Sequence, residues 1–280
     1  MLSNLKELLK YKELIRQLVL RDLKVRYKNS VLGFFWSLAN PLVLVATMTV
    51  VMKIIMRIDI PNYSAYLLVG YLPWIFFQMT LLDSSQVVLA HRDVLKKIYF
   101  PREVLPISTV IANLIHFCLA LSVFFAYIII YIHFCLKGSG ILLTTLWLPV
   151  LIAIQLMLVT GLSLFISCLN VFYEDTKYIV SVLLNVMFYL TPVMYVSELV
   201  YMRLPERTRD LLYNLYMLMP MNSLTEAYRK TLLPAFTTPQ IDSLPLNPWH
   251  LVAAAVISFF IMVGGYAYFN AHKHIFAERM

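Results

Sequence analysis

Residues 31–52 read VLGFFWSLANPLVLVATMTVVM, twenty-two positions without one Asp, Glu, Lys or Arg. As a helix rising 1.5 Å per residue, this run reaches about 33 Å, enough to cross the hydrocarbon core of a bilayer. An ionised side chain at mid-bilayer costs roughly 2.5 to 3.5 kcal/mol, so runs of this kind mark membrane spans. Five more follow: Ala65 to Leu89, Leu105 to His133, Ile141 to Asn170, Tyr178 to Val196 and Pro248 to Asn270. Only the first of these five is interrupted by a charge, at Asp83. The expected fold class is an all-α integral membrane protein with six transmembrane helices, an N-terminal amphipathic interface helix, and short re-entrant helices between spans five and six.

Composition agrees. The 280 residues are 61% hydrophobic and 14% charged, far from the near-even apolar balance and one-quarter charge of soluble domains. The net charge of +8 could signal nucleic acid, but the cations cluster beside apolar runs and form no long exposed stripe, so no nucleic-acid partner is expected. Cys118, Cys135 and Cys168 lie in apolar stretches, away from metal-ligand spacing, and read as small buried hydrophobes. The first 30 residues are polar and basic with no cleavage pattern, which predicts that the N-terminus is retained.

Six spans put both termini on one side, and the cations choose the side. Residues 1–30, 90–104, 171–177 and 271–280 carry fifteen Lys and Arg, against eight on the opposite side, five of them in the long segment 198–247. By the positive-inside rule both termini are expected in the cytoplasm. The expected organisation is cytoplasmic helices over 1–30, a six-span unit over 31–270 with a cytoplasmic loop at 90–104 and an outer re-entrant segment at 198–247, and a cytoplasmic tail over 271–280. Two apolar runs in the outer segment are too short to span: Leu211 to Thr225, broken by Pro220, and Leu232 to Ile241, carrying Pro234 and Pro239.

Residues 3–19 read as the amphipathic helix. Asn4 with Glu7 forms a capping-box-like start, and Leu5, Leu8, Leu9, Ile15, Leu18 and Val19 recur at helical spacing opposite Lys6, Lys10, Glu13 and Arg16. Such a helix lies in the cytoplasmic interface with its cations near lipid headgroups. The sequence then runs LRDLKVRYKNSVLGFFWSLANP over 20–41. Arg21, Asp22, Lys24, Arg26, Tyr27, Lys28, Ser30, Leu32, Gly33, Trp36 and Pro41 resemble the N-terminal signature of ABC-2 type permeases that export polysaccharides and teichoic acids. KIYFPREVLP over 97–106 resembles that family's cytoplasmic loop between spans two and three. Phe172-Tyr173-Glu174-Asp175, Thr191-Pro192-Val193, and Pro220-Met221-Asn222 followed by Glu226, Tyr228 and Arg229 carry the likeness along the chain.

The resemblance implies a transport subunit of the bacterial cytoplasmic (inner) membrane with no catalytic residues, no metal and no cofactor of its own. No G-x-x-x-x-G-K-[ST] loop occurs in the chain, in keeping with ATP and Mg2+ being held by a separate ABC ATP-binding subunit. It implies two permease and two ATPase chains, and a polyprenyl-linked glycan as cargo within the membrane lipids. O-antigen-type polysaccharide is the favoured cargo, with teichoic acid and capsular polysaccharide as alternatives. Short outer helices dipping toward the pore are also implied, where the two sub-spanning runs lie.

Within that frame, Lys96, Lys97, Ile98, Tyr99, Phe100, Pro101, Arg102 and Glu103 form an expected docking knob, an apolar tip with a charged rim, joined in contact with the ATPase by Leu5, Leu8 and Leu9. Arg21, Lys24, Arg26, Tyr27 and Lys28 are the gate candidates for a lipid pyrophosphate, while a positive-inside anchor accounts for the same cations. Trp36, Tyr71 and Trp74 are candidate glycan-channel residues, Tyr71 and Trp74 within the aromatic cluster that includes Tyr66, Phe76 and Phe77; interfacial packing also gathers such residues. Asp83, about 9 Å by helix rise from the end of its span at Leu89, reads as a structural pair or a pore-facing group. Two rival classes are weaker: a membrane-embedded lipid or glycan enzyme lacks a convincing His/Asp/Glu cluster, since His272 and His274 have no third ligand nearby, and a secondary transporter would show internal repeats.

Overall fold

The computed structural model describes residues 10–27, 34–55, 62–97, 100–131, 143–234 and 244–276, and all regular structure among them is helical. The helices are α1 (Lys12–Tyr27), α2 (Phe34–Val50), α3 (Tyr63–Ala90), α4 (Arg92–Lys97), α5 (Val104–Tyr131), α6 (Leu148–Phe172), α7 (Thr176–Leu190), α8 (Ser197–Arg203), α9 (Arg209–Met217), α10 (Pro220–Leu232) and α11 (Pro248–His272).

Four stretches are long and apolar enough to cross a membrane: α3, α5, α6 with the 3-10 turn before it, and α11 with the 3-10 turn after it. The first and fifth expected spans correspond to shorter apolar helices, Pro41–Ile55 and Thr176–Leu190. α2 continues past Pro41 and ends in a π-turn, Val51–Ile55. α7 stops at Leu190, about 22 Å long by helix rise, because Thr191 leaves the helical region (φ −77°, ψ 137°) and Pro192 follows it.

α3 is the axle. Its apolar residues surround it on every side, and it packs against α2, α5, α6, α7 and α10. Pro73 interrupts its backbone ladder, and the Pro73 carbonyl accepts a 2.8 Å hydrogen bond from Gln155 Nε2 of α6. The Gln155 oxygen accepts in turn from Tyr228 Oη of α10, also at 2.8 Å, so three helices meet at one buried amide.

α6 and α11 cross through paired glycines. A Cβ at Gly161 would stand 2.5 Å from the Ile261 carbonyl oxygen and from Met262 Cα, and one at Gly265 would collide with the Gly161 carbonyl oxygen. Only the absence of side chains lets the two backbones approach so closely. The remaining faces of α7 and α11 expose Tyr178, Val182, Val186, Val252, Val256 and Phe260, the composition of a surface made for lipid or another apolar partner.

α1 covers the second part of the expected 3–19 and runs on to Tyr27, while Leu5, Leu8 and Leu9 lie outside the described residues. Tyr11, Leu14, Ile15 and Leu18, at helical spacing, pack on a protein cluster that includes Val88, Phe100, Leu105 and Phe276. The helix therefore uses this face against α5 and its neighbours. Glu13 in its first turn and Lys24 and Arg26 in its last turn suit the helix dipole.

Pro220 interrupts the run Leu211 to Thr225 as expected, and it does so by starting a new helix. It occupies the first turn of α10, where its missing N–H and fixed φ are favourable, so the run Leu211 to Thr225 divides between α9 and α10.

Candidate functional site

The end of the bundle carrying α1, α4 and the end of α11 gathers most of the sequence-flagged residues. α4 is a six-residue helix ending at Lys97; Ile98 and Tyr99 lie outside the described residues. The chain then turns inward. Phe100 is buried beside Val104, Phe269 and Phe276, Pro101 is half-buried, and the Arg102 guanidinium sits 5.6 Å from the centre of the Phe276 ring. Glu103, 1% exposed, accepts a 2.6 Å hydrogen bond from Lys273 Nζ. Phe100 and Glu103 thus depart from the exposed tip and rim expected of them. Their surfaces are spent inside the protomer, because Phe276 and Lys273 at the end of α11 supply the apolar and ionic complements that a partner was expected to provide. The outward-facing part of the segment is α4, where Arg92 and Asp93 are exposed.

The gate candidates are also engaged. Arg21 Nη2 donates to Asp22 Oδ1 at 2.8 Å and contacts His91 Nε2. His91 Nδ1 lies 2.7 Å from the Val87 carbonyl, which takes the ring proton at that nitrogen and leaves the Nε2 lone pair for Arg21. Arg26 Nη2 donates to Asp83 Oδ2 at 2.8 Å, and Asn113 Nδ2 of α5 donates to the same oxygen at 3.0 Å. Asp83 is thus the structural pair that its place in the span suggested, and its partner comes from α1, 57 positions earlier. Lys24 is exposed, Tyr27 ends α1, and Lys28 lies outside the described residues.

Tyr71 and Trp74 face the interior of the bundle. Trp74 is fully enclosed, its ring 5.5 Å from Phe77 and 5.7 Å from Phe188, with Nε1 donating to Gln78; Tyr71 meets the edge of Phe188. Trp36 lies in the first turn of α2.

At the other end, Arg229 joins motifs that sequence could only note separately. Its guanidinium, 2% exposed with the side chain, donates to the carbonyls of Val193 (2.7 Å), Tyr195 (3.2 Å) and Tyr66 (3.4 Å) and lies 3.8 Å over the Tyr66 ring. One planar fork therefore ties the break after α7 to α3 and α10. Gly70 makes room for it, since a Cβ there would fall 2.7 Å from Arg229 Nη2. Beside it Lys230 bridges the buried carboxylates of Glu226 (2.8 Å) and Glu198 (3.4 Å), and Glu198 also accepts from the Leu244 backbone N–H. Burial pushes the Tyr213 and Tyr216 hydroxyls well above the usual phenol range, and a hydrogen bond to Asp210 raises Tyr201. Sequence reasoning missed Gln155, Asn113 and Lys273. The first two were visible as strong hydrogen-bonding groups inside charge-free runs, which demand partners in a bilayer.

Among the described residues no group of three His, Cys, Asp or Glu is placed to hold a metal. What the arrangement offers is mechanical: α1, the 100–104 turn and the end of α11 form one packed, ion-paired unit at the feet of α3, α5 and α6.

Comparison with known proteins is consistent with such a part. The chain is 32% identical over 260 residues to an O-antigen export system permease protein RfbA of Klebsiella pneumoniae, covering 92% of this chain and 91% of the relative. It is 32% identical over 278 residues to a protein of the same name from Myxococcus xanthus, covering 99% of both. The profile of ABC-2 type transporters matches residues 13–233, from the start of α1 to the end of α10, and the chain belongs to that family of membrane proteins.

Proposed function

We propose that this chain is the permease subunit of an ATP-driven exporter that moves a lipid-linked, O-antigen-type polysaccharide across the bacterial cytoplasmic membrane. The observation that carries the reading is the end-to-end likeness to relatives named for O-antigen export, 99% of both chains in one case. In this reading α2 and α7 complete a set of six spans with the four long helices, both termini are cytoplasmic, and α8 to α10 form a re-entrant outer cap. Two copies related by a two-fold axis enclose the glycan path, and two ATP-binding subunits, which hold the ATP and Mg2+, dock beneath them.

The cytoplasmic unit explains how such a subunit converts docking into motion. A push on α4 reaches Phe100 and Glu103 within a few residues, and the Glu103–Lys273 pair passes it to α11. α11 is locked to α6 through Gly161 and Gly265, so the spans move as packed bodies rather than bending independently.

Co-expression with an ATP-binding subunit encoded in the same cell tests the reading. Charge reversal at the exposed pair (Arg92→Glu with Asp93→Lys), or Tyr99→Ala, is expected to lower co-elution and coupled ATP turnover while the permease stays folded. Phe100 is left intact, because truncating a buried ring costs about 3–5 kcal/mol and confuses docking with stability. If wild type retains no ATP-binding subunit and its deletion leaves surface polysaccharide unchanged, the reading fails.

A further inference from the structure

Five cations fall in the segment 198–247, on the side that the positive-inside rule leaves poor in them. Arg229 and Lys230 are spent inside the bundle on carbonyls and buried carboxylates, and the Arg209 guanidinium lies 5.4 Å over the Tyr201 ring. Arg203 and Arg207 stay exposed. Glu206 is exposed between them, and the carboxylate of Asp210 is taken by the Tyr201 hydroxyl, so the rim is net basic. An apolar face follows at once on α9. Tyr213 and Met217 turn inward there, while Leu211 (71% exposed), Leu215 (61%) and Leu218 recur at i, i+4 and i+7 on the outside. A contiguous apolar face of this kind marks a contact surface.

Two tryptophans set the level of that face in the bilayer. Trp147 immediately precedes α6 and Trp249 lies in the first turn of α11; both are exposed, and tryptophan at the start of a span marks the headgroup level. α11 is the least buried of the four long stretches, and Trp249, Val252, Val256 and Phe260 form one exposed strip along it. α9 is fastened beside the Trp249 end of the strip. Asn214 Oδ1 lies 2.8 Å from His250 Nε2, and the Tyr213 ring meets the His250 ring edge-on at 6.0 Å. The leucines of α9 therefore carry the apolar surface of a span onward at headgroup level.

We propose that α9 docks on the membrane surface itself: its leucines enter the boundary between headgroups and acyl chains, and Arg203 and Arg207 hold anionic phospholipid headgroups. The occupant is a lipid surface because the face is continuous with the exposed strip of a span and is rimmed by guanidiniums, which suit phosphate oxygens in shape and charge. The two exposed arginines thereby gain the anionic partners that their side of the membrane otherwise denies them. The inference takes only its choice of leaflet, the outer one, from the exporter reading. Within that reading α10 is the part of the cap that packs into the bundle, and α9 is the part held at the surface. Anionic lipid fixes the cap from outside, as Arg229 fixes it from inside.

The test uses the full chain in nanodiscs of phosphatidylcholine with phosphatidylglycerol and needs neither ATPase nor glycan, so its failure leaves the exporter reading standing. Leu215→Cys, in a chain whose native cysteines are replaced by alanine, carries a bimane label, and a monodisperse elution profile checks folding. Quenching is compared for doxyl-phosphatidylglycerol, doxyl-phosphatidylcholine and aqueous iodide. Labels at Val256→Cys on α11 and at Glu206→Cys give the benchmarks for lipid and for water. The label at 215 should follow 256 with the doxyl lipids and be shielded from iodide relative to 206. Doxyl-phosphatidylglycerol should quench it about fivefold better than doxyl-phosphatidylcholine, the effect of one headgroup contact. Arg203→Gln with Arg207→Gln should abolish that preference and leave quenching by lipid in place. Iodide quenching at 215 equal to that at 206 overturns the docking. Protection from lipid and iodide alike assigns the face to a second copy and overturns it as well. A preference for phosphatidylglycerol that is absent, or that survives loss of both arginines, overturns the anionic assignment.

Discussion

Gly264 and Gly265 are neighbours on α11, yet alanine should move them in opposite directions. A Cβ at Gly264 meets nothing within 4 Å, so Gly264→Ala gains only the backbone entropy that glycine loses in a helix, about 0.5–1 kcal/mol. A Cβ at Gly265 overlaps the Gly161 carbonyl oxygen and stands 2.8 Å from its carbon, both backbone atoms that no rotamer change can clear. α11 must then withdraw from α6 by roughly 1 Å, a gap that forfeits a quarter to a half of each dispersion contact along the crossing. Overpacking of this kind costs about 1–3 kcal/mol, and the upper end applies here because α6 is the main helical partner of α11. The assay is unfolding in mixed micelles with rising SDS, followed by tryptophan fluorescence and analysed as the difference between the two variants. A separation of about 3 kcal/mol, with wild type between them, is expected. Equal midpoints for Gly264→Ala and Gly265→Ala would refute the glycine-to-glycine crossing.

Two further outcomes follow from the buried charges. Lys273→Met leaves the Glu103 carboxylate enclosed without its cation and should destabilise by about 3 kcal/mol, whereas the double variant with Glu103→Gln should recover most of that loss; a thermal double-mutant cycle with no coupling contradicts the pair. Arg229→Lys replaces a planar fork by a point charge and cannot reach three carbonyls while stacking on Tyr66, so limited proteolysis after α7 should quicken and stability should fall by about 2 kcal/mol; an unchanged cleavage pattern counts against the clamp.

The long helices were readable from charge alone, since runs such as Ile141 to Asn170 have no soluble alternative, and α3, α5, α6 and α11 fall on them. α2 and α7 were less so. A charge-free run records what lipid tolerates, not where a helix ends, and Pro192 shortens α7 although Tyr178 to Val196 carries no charge throughout. Phe100 shows a second limit. An aromatic next to basic residues reads equally as an exposed tip or as a buried plug, and the choice depends on Phe276, 176 positions away. Asp83 marked itself as needing a partner, but nothing local says that the partner is Arg26. Long-range complements of this type are set by the topology that brings the first helix and the last beside the foot of α5.

Phe276 and Lys273 complete the unit formed by α1, the 100–104 turn and the end of α11, and Lys273 follows its partner Glu103 by 170 positions. During synthesis from the N-terminus, α1, α4 and the start of α5 emerge long before the side chains that cover Phe100 and neutralise Glu103. Until then the nascent chain exposes an aromatic ring and an unpaired carboxylate at the foot of α5. A chain that stops before Lys273 leaves both groups uncovered, so the end of α11 decides whether this foot of the bundle closes.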